Sequence, residues 1–492
     1  FASLDQALRR DDIVYIDPND NMLSFFARAN YNYRGRYYLT ATFRADASTK
    51  FARGNQWGFF PSVAAAWRMI DEAWMEPAQE VMSNLKFRLS YGTVGNNNVE
   101  LGYLHYDYLE SNGLYMQGMD HLLSDGGSSL IAANQQLKWE TTITRDFGID
   151  YGFFNERLSG AFDLYWNNTN DLILKYKLAT GGYNYQYRNI GSTDNKGVEF
   201  SIKGVILDHR SKNLNYGLTV DFNITHNVNK VVSLGGMEDY PVSSACFSTY
   251  YTQGYEYLLT VGAPIGDIYG YKTDGWYTTA DFAQYNKTKN VWMDAEGNIT
   301  NTPLGDAYPG MQKIVPTGKD EKGKNVYELE KIGNTMPEVT GGFNLSFFIG
   351  SDRWGKIDLG ANFNYSVGND VVNMTALDYS AICSSTRNRN MLASFGYGQR
   401  YSLFDAEGTF LPTAGSSAKI IKGDDYTAMA LRLEEANQGA VTYNPIVSSP
   451  VLTDNYVEDA SFLRLSRLNI GYSLSQKWIK TAHISNCRIF FS

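Results

Sequence analysis

The 492-residue sequence predicts an all-β protein, a transmembrane antiparallel β-barrel with long extracellular loops. Three observations predict this fold class. Apolar and polar residues alternate along about twelve segments, as they do in strands with two different faces. The connections between these segments alternate between short and long. No stretch approaches a length of about 18 consecutive apolar residues, so the sequence excludes a membrane-spanning helix but not membrane-spanning strands.

The alternation begins near the N-terminus. Between residues 24 and 33, the odd positions carry only Phe, Ala and Tyr, and the even positions are mostly polar. After a tight turn at residues 34–36, the same pattern returns between residues 37 and 46. Successive side chains of a strand point to opposite faces, so each segment has one apolar and one polar face. The two segments therefore predict a β-hairpin.

Ten further segments repeat this pattern. They are residues 59–68, 85–93, 139–153, 157–168, 196–206, 214–228, 338–349, 356–367, 461–472 and 486–492. Most reach the length of about 9–11 residues that a tilted strand needs to cross a bilayer. Aromatic residues lie near several strand ends, as in the girdles of membrane barrels. Examples are Tyr31, Tyr33, Tyr37, Trp67, Tyr151 and Tyr472.

The connections form two classes that alternate along the chain. The short ones are residues 34–36, 69–84, 154–156, 207–213, 350–355 and 473–485. The long ones are residues 47–58, 94–138, 169–195, 229–337 and 368–460. Outer-membrane barrels have short periplasmic turns and long extracellular loops. We therefore expect an outer-membrane location.

A secreted multidomain β protein is the alternative, and Arg145 is the residue that favours it. Arg145 shares its face with Ile143, Phe147 and Ile149, so a barrel would turn this cation toward lipid. Such a residue costs little when it lies near the membrane interface. Counting from the turn at Phe154 places Arg145 near the outer rim, so this objection to a barrel is weak.

Composition excludes several functions. Lys and Arg number 43 against 52 Asp and Glu, for a net charge of -9, so a nucleic acid is not expected as partner. The cysteines, Cys246, Cys383 and Cys487, are far apart and predict neither a disulfide framework nor a zinc site. The 5 histidines are scattered, without a catalytic motif. We expect no enzyme activity, no cofactor and no metal.

Short motifs then occur in a characteristic order. They include Phe60-Pro61-Ser62, Leu89-Ser90-Tyr91-Gly92 followed by Gly95-Asn96-Asn97, Leu137-Lys138-Trp139-Glu140, Asn195-Lys196-Gly197-Val198-Glu199, Gly270-Tyr271-Lys272-Thr273-Asp274-Gly275 and the stretch 458–465. With this ordered set, the chain resembles SusC/RagA-type TonB-dependent transporters from residue 24 to its last residue.

The resemblance implies a 22-stranded outer-membrane barrel with an N-terminal plug in its lumen. Such a barrel imports oligosaccharides or peptides with energy from the TonB complex, and a SusD-like lipoprotein covers its mouth. Residues 1–492 would be the C-terminal part of the barrel, without the plug domain and the last strand. The visible strands should then form an open arc, because further strands must close it. A twelve-stranded outer-membrane lipid hydrolase and a passive porin are the alternatives.

The resemblance also suggests which residues could be functional. Charged residues on the polar face are expected to line the lumen and to contact the plug; these are Arg28, Arg44, Arg88, Glu140, Asp146, Asp150 and Glu199. Aromatic residues of the loops are candidates for contact with substrate or lid, with loop packing as the alternative role; these are Trp57, Tyr103, Tyr106, Tyr115, Trp276, Tyr277 and Trp292. The loops 229–337 and 368–460 are expected to dock the lipoprotein.

Overall fold

A computed structural model describes most of the chain. It covers residues 21–98, 104–105, 108–109, 130–178, 183, 185–211, 213–243, 253–380, 382–383, 390–413, 417–480 and 483–491. Its main feature is one large antiparallel sheet in which successive barrel strands are neighbours. These strands are β1 Met22–Tyr33, β2 Tyr37–Ser48, β3 Trp57–Arg68, β4 Met82–Asn96, β5 Glu140–Phe153, β6 Leu158–Lys177, β7 Tyr185–Arg210, β8 Asn215–Leu234, β9 Val339–Ser351, β10 Gly355–Val367, β11 Phe462–Ser473 and β12 Arg488–Phe491.

The sheet is open. Its strand order runs from β1 at one edge to β12 at the other, and these two strands do not pair within the described residues. The predicted open arc is confirmed. A ring closed by these twelve strands alone, which the lipid hydrolase alternative required, is contradicted.

The register confirms the two faces of the first hairpin. Tyr31 lies opposite Leu39 on the apolar side, and Phe26 lies opposite Arg44 on the polar side. Aromatic rings pair across strands on the apolar face, with Tyr37 stacked on Trp67 at 6.5 Å between ring centroids. Such pairs stabilise neighbouring strands and give lipid a continuous apolar surface. We call this face the lipid face and the opposite one the inner face.

The strands near the middle of the sheet are longer than the sequence predicts. β6 ends at Lys177 and β7 begins at Tyr185, so most of the predicted loop 169–195 is paired strand. Outside the membrane, both faces of a hairpin contact water, so the alternation of apolar and polar residues fades. Backbone pairing continues where the alternation of side chains has ended. The alternation in the sequence therefore marks only the membrane-embedded part of each strand.

The periplasmic end of the first three strands is held by one carboxylate. Glu72 accepts hydrogen bonds from the Tyr37 hydroxyl at 2.6 Å, the Trp67 indole at 3.1 Å and the Arg36 guanidinium at 3.2 Å. The bond from Tyr37, followed by the one from Trp67, lowers the pKa of Glu72. Glu72 thus fixes two aromatic rings of the periplasmic girdle from the water side.

The two longest loops fold together into one body, which we call the extracellular module (residues 239–243, 253–334, 370–380, 382–383, 390–413 and 417–459). Gln284–Asn286 pairs with Ile420–Lys422, and Asp370–Val372 pairs with Val457–Asp459, so strands from both loops join. A single hydrophobic core lies between them and includes Tyr285, Trp292, Leu377, Met429 and Leu433. The sequence predicted two large loops but not their common core.

Short elements complete the fold. The short strands are Tyr108–Leu109, Leu130–Ala132, Asp239–Val242, Tyr257–Thr260, Asp267–Gly270, Thr273–Trp276, Gln284–Asn286, Val291–Met293, Asn301–Thr302, Gly305–Asp306, Gln312–Ile314, Gly318–Lys319, Asn325–Val326, Glu330–Asn334, Asp370–Val372, Ile382–Cys383, Ile420–Lys422, Ile446–Val447 and Val457–Asp459. The α-helices are α1 Met374–Ser380, α2 Asp424–Ala436 and α3 Gln476–Ile479; the 3-10 helices are Met69–Asp71, Ala73–Glu80, Thr279–Asp281, Ala393–Phe395, Leu411–Thr413 and Asp454–Tyr456. Across the described residues, no helix has the length and apolarity to cross a membrane.

Candidate functional site

The inner face carries a cluster of charged side chains on β4, β5 and β6. Arg88 lies at its centre and donates hydrogen bonds to Asp150 at 3.0 Å and to Asp163 at 2.8 Å. The Lys86 ammonium lies 3.7 Å from Asp150. We call these four residues and Asp146 the charge cluster. The sequence placed Arg88, Asp146 and Asp150 among the lumen candidates, and the structure adds Asp163 as a direct partner of Arg88.

A glycine makes the charge cluster possible. Gly148 lies opposite Arg88 on one side and Asp163 on the other. A Cβ atom at Gly148 would lie 2.3 Å from a carboxylate oxygen of Asp163 and 2.6 Å from the guanidinium carbon of Arg88. A side chain at this position would therefore displace the ion pairs.

Further acidic residues lie on the inner face beyond the charge cluster. Glu199 on β7 lies directly opposite Asp163, and Asp221 on β8 lies opposite Lys203. Glu199 therefore shares its face with the charge cluster, as the sequence predicts. Carboxylates outnumber cations on this part of the face, so it is suited to contact a partner surface that contributes donors or cations.

Three other lumen candidates lie apart from the charge cluster. Arg44 bonds Asp46 on its own strand, with 2.7 Å between the closest atoms. Arg28 is exposed on β1. Glu140 accepts the backbone N–H of Ile173 at 2.8 Å, so it links β5 to the irregular outer part of β6. Glu140 therefore has a partner within the sheet itself.

Large apolar side chains lie on the inner face near the open edges. Phe26 on β1 is 81% exposed, and Phe490 on β12 is 65% exposed. Phe26 lies opposite Arg44 and Phe490 opposite Gly471, which places both rings on the polar side. Exposed apolar surface of this kind is typical of a face that another part of a protein covers. Phe26 interrupts the alternation of apolar and polar residues in β1. This interruption is the signal in the sequence from which an apolar ring on the inner face could have been predicted.

Several motifs of the resemblance converge in one packing cluster below the extracellular rim. The Phe60 ring packs edge-on against Trp139, with 5.5 Å between ring centroids, and Trp139 donates to the Gln56 carbonyl at 2.8 Å. A Cβ atom on Gly95 would lie 1.9 Å from the Phe60 ring, and one on Gly58 would lie 2.3 Å from it. Gly95, which belongs to a motif, and Gly58, which belongs to none, thus provide the space into which Phe60 fits.

Replacing Gly95 with alanine is expected to destabilise the full-length protein by roughly 1–3 kcal/mol, because the added methyl group displaces the Phe60 ring. In a Phe60→Ala background, the same change should cost much less, because the clash is gone. Gly360→Ala is the matched control, since the nearest neighbouring atom lies 3.9 Å from where its Cβ would be. Urea unfolding of the four variants provides the measurement; equal costs of Gly95→Ala in both backgrounds would contradict the packing role.

Two of the loop candidates for ligand contact are core residues. Tyr277 is 6% exposed and Trp292 is 3% exposed, both inside the extracellular module. Burial raises the pKa of Tyr277, and the neighbouring Tyr327 raises it further. The predicted role in substrate or lid contact is therefore wrong for these two residues. Trp276 is half-buried at the end of the strand Thr273–Trp276 and stays a candidate.

Trp57 is a second correction, because it does not lie in a loop. It begins β3 on the lipid face and stacks on Phe25, with 6.2 Å between ring centroids. The strand starts two residues earlier than predicted, at position 57 instead of 59, so Trp57 shares the face of Phe59. Tyr103, Tyr106 and Tyr115 lie outside the described residues.

The surface of the extracellular module carries fixed charges. Asp281 accepts the Thr278 backbone N–H at 2.7 Å and the Lys313 ammonium at 2.9 Å. Burial alone would raise the pKa of Asp281, but these bonds outweigh it and lower the pKa. Asp281 is therefore ionised at neutral pH and helps to order this part of the module. Among the described residues, no group of three or more His, Cys, Asp or Glu could hold a metal ion.

Comparison with known proteins decides the family. The family described as "TonB dependent receptor-like, beta-barrel" matches residues 5–303 of the chain. The chain belongs to this family. Its members are outer-membrane proteins, and the apolar face of this TonB-dependent receptor barrel agrees with that location.

Curated relatives support this assignment. The chain is 28% identical over 473 residues to TonB-dependent receptor P3 of Formosa agariphila, covering 96% of this chain and 40% of that protein. It is 26% identical over 477 residues to TonB-dependent receptor SusC of Bacteroides thetaiotaomicron, covering 95% and 39%. The chain thus spans about 40% of the length of these TonB-dependent receptors.

A solved structure shares the fold. The RagAB peptide importer in its "open-open" state is 23% identical to this TonB-dependent receptor chain, with a TM-score of 0.60. The similarity covers 96% of this chain and 42% of the solved one. At this identity, the similarity concerns the fold alone.

Proposed function

We propose that this chain forms the C-terminal part of the barrel of a SusC-type importer. The whole protein would take up oligosaccharides or peptides with TonB-derived energy and with a SusD-like lipoprotein at its mouth. The observation that carries the proposal is membership of the TonB-dependent receptor family. The sheet, which has one lipid face and one polar inner face, agrees with this membership. One relative is named SusC, and a solved structure with the same fold is named a peptide importer.

The inner face supports a plug in the lumen. The charge cluster offers carboxylates on a face that also exposes the Phe26 and Phe490 rings. A water-filled pore needs no exposed aromatic rings, whereas a folded plug would cover them. Ion pairs and hydrogen bonds between inner face and plug would have to be exchanged when the plug moves. We propose that Glu199 and the charge cluster are contact sites for the plug.

The extracellular module supports a lid-bearing importer. It gives the outer end of the barrel a folded surface with its own core. A flexible loop could not provide such a surface. A rigid surface lowers the entropy cost of docking another protein. We propose that this module contacts the lipoprotein.

The proposal includes no covalent chemistry. At the outer rim, where the hydrolase alternative requires a Ser and His pair, the His226 imidazole lies 2.6 Å from the Glu338 carbonyl oxygen. The twelve strands also leave the sheet open. Both observations favour transport over hydrolysis.

The test uses the full-length gene in its native host. Deletion should abolish uptake of one labelled substrate class, either peptides or oligosaccharides, and the tagged protein should co-purify with a surface lipoprotein. Uptake should also stop when the TonB complex is inactivated. Uptake that continues without TonB would indicate a passive porin and would overturn the proposal.

A further inference from the structure

Three cations lie on the lipid face of β5, β7 and β8. The Arg145 guanidinium lies 5.2 Å from the centre of the Trp166 ring, and the Lys196 ammonium lies 4.4 Å from the same ring. Arg145, Trp166 and Lys196 are direct cross-strand neighbours. Lys230 lies one row further out, opposite Asp194. A tryptophan between two cations keeps both side chains in place at the surface.

This group lies where the lipid face changes from apolar to polar. Toward the periplasm, the next lipid-facing residues of β6 and β7 are Leu164 and Val198, and away from it they are Asn168 and Asp194. Trp166 lies eight positions after Leu158, where β6 begins. At a rise of 3.3 Å per residue and a tilt of 45°, this places Trp166 about 19 Å above the periplasmic turn. An apolar band about 25 Å tall that starts at this turn therefore ends about 6 Å beyond Trp166, near the row of Lys230.

The positive charge of this group is only partly compensated. Arg145 donates a hydrogen bond to Asn168 at 2.5 Å but forms no ion pair within the part of the chain that the structure describes. Lys196 lies 3.9 Å from Asp194, which is also the cross-strand neighbour of Lys230. Asp194 is thus the one carboxylate that pairs with a cation of this group among the described residues, and its ion pair is with Lys196. Cations at this level can reach the interface, where the phosphates of lipid headgroups are available as partners.

An apolar groove begins beside these cations. Its lining includes Phe147, Leu164, Val198 and Val228, and Arg145 and Lys196 lie on its border. An aliphatic chain fits such a lining because both surfaces leave water together. The groove lies on the lipid face, away from the lumen, and a membrane lipid has both an acyl chain for the apolar groove and an anionic headgroup for the cationic border.

We infer that Arg145, Lys196 and Lys230 bind the phosphate of an outer-leaflet glycolipid, with one acyl chain in the groove. The guanidinium and the ammonium groups donate charge-assisted hydrogen bonds to phosphate oxygens. The binding site is independent of the proposed transport function, since it faces away from the lumen. Its occupant is a structural lipid that ties this rim of the barrel to the outer leaflet.

The test places the full-length protein in phosphatidylcholine nanodiscs with added monophosphoryl lipid A and measures bound lipid by native mass spectrometry. The double variant Arg145→Gln/Lys196→Gln should bind this lipid roughly 10- to 30-fold more weakly, because two basic contacts are lost. The variant Arg145→Lys/Lys196→Arg should retain binding. Lys203→Gln/Arg467→Gln, with both changes on the inner face, is the matched control and should also retain it.

Two outcomes would overturn the inference. One is wild-type affinity in the double Gln variant, and the other is equal binding of lipid A without its phosphate. Heat modifiability in gel electrophoresis checks that each variant is folded. If the double variant does not fold, Lys196→Gln alone provides the test, because this side chain is 56% exposed and its replacement leaves the packing intact.

Discussion

Trp292→Ala is expected to unfold the extracellular module while the barrel stays intact. Trp292 is 3% exposed, and the rings of Tyr285, Phe282 and Tyr426 surround it at centroid distances of 5.0, 5.7 and 6.2 Å. Removal of a buried tryptophan costs about 3–5 kcal/mol. Because the module has its own core, this cost falls on the module and not on the strands. Limited proteolysis should cleave within the extracellular module much faster than in the wild type.

Trp276→Ala is the matched control for this change. Trp276 is half-buried in the same module, so its removal should leave protease resistance close to that of the wild type. Heat modifiability should be unchanged in both variants. Equal protease resistance of Trp292→Ala and the wild type would show that the two loops do not depend on a common core. Co-purification of the lipoprotein should fall with Trp292→Ala if the module is its docking surface.

Arg88→Met is expected to destabilise the barrel and to impair uptake by the full-length protein. The change leaves Asp150 and Asp163 without their central cation, and both carboxylates are largely shielded from water. Breaking a buried ion pair costs about 3–5 kcal/mol, and the partial exposure of Arg88 reduces this to roughly 1–3 kcal/mol. Urea unfolding measures the loss of stability, and uptake of labelled substrate measures the loss of function.

A double-mutant cycle isolates the contribution of the ion pair. In an Asp163→Asn background, Arg88→Met should cost less, because one stranded carboxylate has been removed. Arg28→Met is the control, since Arg28 is exposed on the same inner face and its loss should change stability by less than about 0.5 kcal/mol. Additive costs of Arg88→Met and Asp163→Asn would contradict direct coupling of these two residues.

The membrane-embedded half of the structure could be predicted well from sequence. The pairing of Tyr31 with Leu39 follows from a local alternation and a tight turn, and both can be recognised within a few residues. The same information failed at Trp57, because a strand boundary two residues away from the predicted one moves an aromatic ring from a loop to the lipid face. A strand ends where backbone pairing with its neighbour stops, and the alternation of residues in the sequence does not show this position.

The candidate site could be predicted only in part. Arg88 and Asp150 were placed on one face because both have even numbers in facing strands. The sharing of Arg88 between Asp150 and Asp163 depends on Gly148, whose role appears only in three dimensions. Tyr277 and Trp292 were misassigned because apolar residues within long polar loops resemble a ligand surface. The core that buries them also takes residues from the other loop, such as Tyr426 against Trp292, and the pairing of Gln284 with Lys422 cannot be inferred from local patterns.

The extracellular module has a consequence for the order of assembly. Its two halves lie on either side of the β9–β10 hairpin in the sequence. The strand of Gln284 can pair only when the strand of Lys422, 138 residues later in the chain, is also in place. Contacts between such distant segments form late, because a large loop must close first. The first half of the module therefore cannot form the common core until the second half has followed. Completion of the module core is therefore expected to be a late step in folding.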